Sequence, residues 1–231
     1  MKTGMKVLAV VAVVVAAAVA FAMGNKEPIV YSWHYKITVT VDTPEGEKRG
    51  SAVREARTEF QPRPEPKDFP YHIEIKSRGE AVPVDLGKRG MLFALIDWDS
   101  YREFYNAFPY GGQMDGKSKF PRDDYYKETL KTGMKAELKT NFPRMVTFKD
   151  IKDPKSVEAV KADDLAATFG AGVKLKDITL EITDEPVTWE IEKVLGWLEK
   201  VKMSCLSGKH INGPELYEQL HGGNFRAGDL K

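Results

Sequence analysis

Tyr31-Ser32-Trp33-His34-Tyr35-Lys36-Ile37-Thr38-Val39-Thr40-Val41 alternates without a fault between aromatic or β-branched residues and polar ones. Period two over eleven residues predicts a half-buried β-strand, with Tyr31, Trp33, Tyr35, Ile37, Val39 and Val41 on the covered face. Asp42-Thr43-Pro44-Glu45-Gly46 turns the chain, because proline presets φ and glycine admits positive φ. Gly50–Phe60 returns as a second, more polar strand, so the pair reads as a long hairpin.

Working outward, Gln61–Pro70 holds four prolines and cannot continue a ladder, which makes it an extended connector. Tyr71–Ile75, Ala81–Leu86 and Met91–Ile96 follow as strands, giving a mostly antiparallel unit of about five strands over residues 31–96. Helices are then expected. Ser100-Tyr101-Arg102-Glu103 has the form of a capping box before Tyr101, Phe104, Tyr105 and Phe108, and a second helix is expected over Asp123–Leu138. Asp153-Pro154 opens a helical stretch, recapped at Asp163 and closed at Gly170. Val173–Ile182 reads as a strand whose change of parity signals a bulge. Pro186 starts a helix with Ile191, Val194, Leu195, Leu198 and Val201 as its buried stripe. Strands first and helices later predict an α+β fold, one domain over residues 29–203 with a β-rich part (31–96) and a mixed part (97–203). Residues 204–231 read as a polar C-terminal tail.

At the other end, Lys2 and Lys6 precede a run of 17 apolar residues, Val7–Met23. Such a run satisfies its backbone as a helix in a bilayer, and the lysines resist crossing. Residues 1–24 are therefore expected to be a signal peptide or a single N-terminal membrane anchor, the membrane contact being residues 7–23 if the segment stays uncleaved. Ala20-Phe21-Ala22 offers a cleavage site after Ala22, while Pro28-Ile29-Val30 extends the apolar character beyond it. The expected location is the bacterial cell envelope: inner-membrane anchored with a periplasmic body, or periplasmic after cleavage.

Removing residues 1–22 takes two lysines and no acid, leaving 33 basic and 34 acidic residues. This near-neutral, interleaved charge lacks the basic footprint of nucleic-acid binding. Cys205 is the only cysteine, so no intramolecular disulfide can form, and its apolar neighbours predict a buried thiol. No Asn-x-Ser/Thr acceptor occurs, which favours a bacterial envelope over a eukaryotic secretory route.

Several blocks resemble a family of proteobacterial membrane-anchored or exported envelope proteins to which no activity is assigned. They are Trp33–Val41 with Thr43–Gly46 and Gly50–Val53, then Gly79–Leu86, Asp163–Gly170, Ile182–Thr188 and Leu220–Arg226. The resemblance covers most of the body and implies a bacterial source and an N-terminal membrane-targeting segment. It departs at Gly196, where the family pattern has proline before Trp197.

No motif assigns catalysis and no cofactor is implied. Cys205, His210 and His221 come nearest to a metal cluster but lack CxxC or HxxxH spacing. His34 and His72 would be neighbours only if their strands pair. Asp97 and Asp99 close a strand, where their ordinary role is to end it and cap a helix, and Ser51 lacks a nucleophile elbow. The aromatic surplus is different. Residues 98–126 hold nine of the 24 aromatics, and Tyr110, Phe120, Tyr125 and Tyr126 beside a glycine-bearing loop suit binding of an envelope protein or glycan. The expectation is thus a non-enzymatic binding or structural module facing the periplasm. The alternatives are an envelope hydrolase using Asp97, Asp99, Asp123 and Asp124, or a phage- or plasmid-borne accessory protein.

Overall fold

The computed structural model describes residues 27–62, 71–97, 99–109, 123–201, 204–209 and 213–228. The fold is α+β with antiparallel sheets and few helices. Strand β1 (Ile29–Asp42) carries the expected alternation, with Trp33, Tyr35, Ile37, Val39 and Val41 buried. Reciprocal bonds between Thr43 and Gly46 (3.2 and 2.9 Å) close the turn into β2 (Lys48–Pro62). After β3 (Tyr71–Glu80), however, the expected five-stranded unit divides. β4 (Val82–Asp85) and β5 (Met91–Ala94) leave for a second sheet with β7 (Met145–Phe148) and β8 (Val157–Val160), in the order β4-β5-β7-β8.

The first sheet is completed by late strands: β6 (Lys135–Glu137), β9 (Lys174–Thr183) and β10 (Arg226–Ala227), in the order β10-β3-β2-β1-β9-β6. β9 runs antiparallel to β1 from His34↔Thr183 to Asp42↔Lys174. The partners step from Thr40↔Asp177 to Val41↔Leu175, so Lys176 is the extra residue of the bulge that the parity change predicted. Gly50 lets β2 pass close to β4: a Cβ there would lie 1.9 Å from the carbonyl oxygen of Pro83.

The helices are shorter than their apolar stripes suggest. α1 (Tyr101–Ala107) holds, but α2 is only Asp123–Thr129. Gly133, at φ +87°, breaks the stripe, and residues 135–137 join β9 instead. The Asp153 side chain accepts from Lys155 N, capping a single 3₁₀ turn (Pro154–Ser156) that gives way to β8. α3 (Ala166–Phe169) is met at its start by Asp164, which accepts from Ala167 N, and ends at Gly170 with φ +93°. The long helix expected after Pro186 is α4 (Ile191–Val194) and a 3₁₀ turn (Leu198–Val201). Between them Trp197 Nε1 donates to Ile151 O at 2.8 Å, a tertiary bond that competes with helix continuation. Ile191, Leu195, Leu198 and Val201 are nonetheless buried.

These residues form one core with Phe93, Leu95, Val146, Phe148 and Val157. The stretch read as a polar tail enters it too: Leu206, Leu220 and Phe225 are buried, and α5 (Leu216–Gln219) lies between them in sequence. Phe225 sits 5.8 Å from the Phe148 ring, and its carbonyl accepts from Ala81 N at 2.8 Å. A few apolar residues spaced through the polar stretch are enough to bury it, each contributing about 1.5–3 kcal/mol.

The chain divides into two compact units, Met1–Tyr31 with Thr58–Glu74, and Ser32–Arg57 with Ile75–Lys231. In the first, the Tyr31 and Tyr71 rings each meet Phe60 edge-on with centroids 6.1 Å apart. The second contains the core just described, the Arg54–Glu103 pair and the cleft residues described next. Among the described residues, no helix is long and apolar enough to cross a membrane; Val7–Met23 lies outside them.

Candidate functional site

β2 places Arg54 on its covered face, with Ala52, Ala56, Thr58 and Phe60. A guanidinium there needs partners for its five donors. Arg54 Nη1 donates to Glu103 Oε2 at 2.8 Å, Nε to Glu80 O at 3.0 Å, and Nη2 to Ala94 O and Leu95 O at 3.3 and 3.1 Å. Gly79, at φ +132°, permits this crossing, since a Cβ there would come within 3.0 Å of Arg54 Cγ. Glu80 turns its own carboxylate the other way and accepts from Ile191 N at 2.7 Å, fixing the start of α4.

Glu103 lies in the first turn of α1, buried, with both oxygens engaged. Its second oxygen accepts from Ser100 Oγ at 3.2 Å. Burial pushes its carboxyl up to about 7, against the opposing pull of Arg54 and Ser100. Ser100 therefore does not form the expected capping box; its hydroxyl accepts from Asp97 N at 2.7 Å instead. The buried Tyr35 hydroxyl meets no partner in good hydrogen-bond geometry among the described residues, and burial, opposed by the nearby Arg54, raises its pKa well above the usual phenol value.

Outside this pair, α1 and the segment before β7 frame an open cleft of about 740 Å³. Its floor is Asp97, which Arg144 grips from Nε and Nη2 at 2.8 and 2.5 Å, while Asn224 Nδ2 donates to it at 2.5 Å. The Asp97 carboxylate in turn raises the Arg144 pKa. Tyr101, Arg102, Asn106, Asn141 and Phe142 line the walls. Arg102 faces Asp99 at 3.7 Å. Phe142 is 40% exposed and follows Asn141, which at φ 53° is the one non-glycine residue with positive φ among the described residues. Charge in the cleft is thus matched pairwise within the protein.

The residues singled out from the sequence distribute as follows. Tyr125 and Tyr126 are buried in an aromatic cluster with Trp33, Phe104, Tyr105 and Phe108. Tyr125 Oη donates to Phe108 O at 2.7 Å, and the hydroxyls of Tyr126 and Tyr105 lie 3.0 Å apart. Tyr110 and Phe120 lie outside the described residues. Asp97 and Asp99 line the cleft; Asp123 and Asp124 do not, and sit exposed in the first turn of α2. Cys205 and His221 form an isolated antiparallel bridge, with Sγ 3.8 Å from both ring nitrogens. His210 lies outside the described residues, among which no three ligand-type side chains converge. β2 separates β1 from β3, so the strands of His34 and His72 do not pair, and Ser51 is exposed on β2.

Sequence reasoning missed Arg54, Glu103, Arg144 and Phe142. A signal existed for Arg54: an arginine at a covered-face position of a strand demands a buried counter-charge. No family model matches the chain, and neither a curated protein nor a solved structure matches it.

Proposed function

We propose that the chain is a non-enzymatic binding module of the bacterial cell envelope, retained in the inner membrane by Val7–Met23, whose cleft takes an uncharged glycan. The observation that carries this reading is the internal pairing of the cleft's charges, Asp97 with Arg144 and Asp99 with Arg102. With no unmatched charge among its described lining residues, the cleft favours a ligand rich in hydroxyls. Planar polar side chains such as Asn106, Asn141 and Arg102 suit adjacent sugar hydroxyls, and Tyr101 and Phe142 suit the apolar face of a sugar ring. The volume falls within the range of about 300–1,000 Å³ common for small-ligand sites.

The test is titration of the purified full chain with the β-1,4-linked trimer of N-acetylglucosamine, followed by calorimetry. Saturable binding that Phe142→Ala abolishes supports the reading. Absence of binding, or binding unchanged in Phe142→Ala, overturns it.

A second reading rests on Glu103. A carboxyl pushed up to about 7 beside a cleft has the proton affinity of a general acid. Against this, both its oxygens are occupied by Arg54 and Ser100. Turnover of the trimer that Glu103→Gln eliminates would favour a hydrolase.

A further inference from the structure

The end of the first sheet at which β1 begins has an unbalanced surface. Among the described residues, three of the five exposed large apolar side chains are Ile29, Val30 and Ile73, and all three belong to the smaller unit. Strand alternation puts Ile29 and Tyr31 on one face of β1, and Tyr71 and Ile73 on one face of β3. Phe60 joins the two sets, touching Tyr31 and Tyr71 edge-on. The opposite face of the same unit carries Glu59, Gln61, His72 and Glu74, with Gln61 Nε2 donating to Glu59 Oε1 at 3.1 Å. Val30, by the same alternation, falls on that second face. This end is therefore unequal rather than cleanly divided: Ile29, Ile73 and two tyrosines on one side, charge and amide with the lone aliphatic Val30 on the other.

We infer that this apolar face lies on the lipid bilayer, with Ile29 and Ile73 entering its interfacial region and Tyr31 and Tyr71 at headgroup level. The inference rests on the proposed retention of Val7–Met23. Only five residues separate Met23 from Ile29, a reach of about 20 Å even when fully extended. A β-surface held that close to a membrane meets lipid at an effective concentration no soluble partner matches. Tyrosine is a favoured residue of this zone because its ring is apolar and its hydroxyl polar. The nearly balanced charge of the body makes the contact hydrophobic rather than headgroup-specific.

Adjacent residues of β3 provide the test. The full chain is reconstituted in vesicles of equal parts phosphatidylethanolamine and phosphatidylglycerol, with an environment-sensitive fluorophore on Ile73→Cys or on His72→Cys. Cys205, being fully buried, stays unlabelled in the folded protein. A nitroxide lipid labelled near the glycerol backbone should quench most of the emission at position 73 and little of that at position 72. Co-sedimentation with vesicles but equal or absent quenching at the two positions overturns the contact while leaving the anchor intact. Quenching at 73 that disappears on dilution of the protein, with no nitroxide present, signals self-association and also overturns it. A chain that fails to co-sediment, or that begins at Met23, overturns both the anchor and the contact. Unchanged circular dichroism in both variants verifies that the reporters sit on the native sheet.

Discussion

Arg54 and Glu103 form an ion pair at 2.8 Å in which the arginine side chain is fully buried and the carboxylate side chain is only 7% exposed. The pair joins β2 to α1, and the remaining guanidinium bonds reach the carbonyls of Glu80, Ala94 and Leu95. One side chain thus ties the first sheet, the end of β5 and the helix that walls the cleft.

Removing the guanidinium takes the charged partner from Glu103 Oε2 and a donor from each of the carbonyls of Glu80, Ala94 and Leu95. Arg54→Met should cost about 3–5 kcal/mol at pH 8, the usual penalty for breaking a buried pair from one side. At pH 5 the loss should be smaller, because Glu103 can then take up a proton. Urea unfolding of the variant at both pH values measures the difference.

The carboxyl itself should give stability a recognisable pH dependence. Its value rises from 4.5 to about 7 on folding, so between these limits the native state holds more protons than the unfolded one. The resulting stabilisation is fully present below about 4.5 and fades as pH rises through 7, by about 3 kcal/mol at most. Glu103→Gln should flatten this part of the profile, as denaturation midpoints across pH 4–8 would reveal. An equal slope in the variant would assign the dependence to other groups.

Gly50 should tolerate no side chain. A Cβ 1.9 Å from the Pro83 carbonyl oxygen meets backbone, which cannot rotate away. Gly50→Ala should lower stability by about 1–3 kcal/mol or more. Gly46, whose Cβ position is open but whose φ is +112°, should cost less, and thermal melts of the two variants compare them.

Cys205 should behave as an inert thiol in the native state. It is fully buried, and its backbone pairs with Lys209 and bridges His221. A thiol reagent should react only at the rate of local or global opening, and the rate should rise steeply near the unfolding midpoint. Rapid native-state labelling would show that residues 204–209 open independently.

Much of the local fold was legible because period two is hard to counterfeit: β1, its turn, β4, β5 and the bulge at Lys176 all follow from alternation and its interruption. What stayed hidden depends on separation along the chain. Nothing near Tyr31–Val41 says that β9, over 130 residues later, lies beside it, or that β4 and β5 belong to another sheet. Apolar stripes predicted which residues are buried, as at Ile191, Leu195, Leu198 and Val201, but not that bonds such as Trp197 to Ile151 would interrupt the helix. The cleft shares this fate. Asp97 and Asp99 could be suspected, whereas Arg144 and Phe142 come to them only through the pairing of β5 with β7.

The strand order has one more consequence, for the birth of the protein rather than its finished form. β1 sits between an early neighbour and a late one, and the outer edge of β3 is covered by Arg226 and Ala227. An emerging chain therefore carries open sheet edges until β9 and then Arg226–Ala227 have been delivered. Such edges are templates for pairing with other chains. Synthesis or translocation that stalls after the first hairpins would leave an adhesive intermediate, and a stop codon just before Arg226 should be as damaging as an early one.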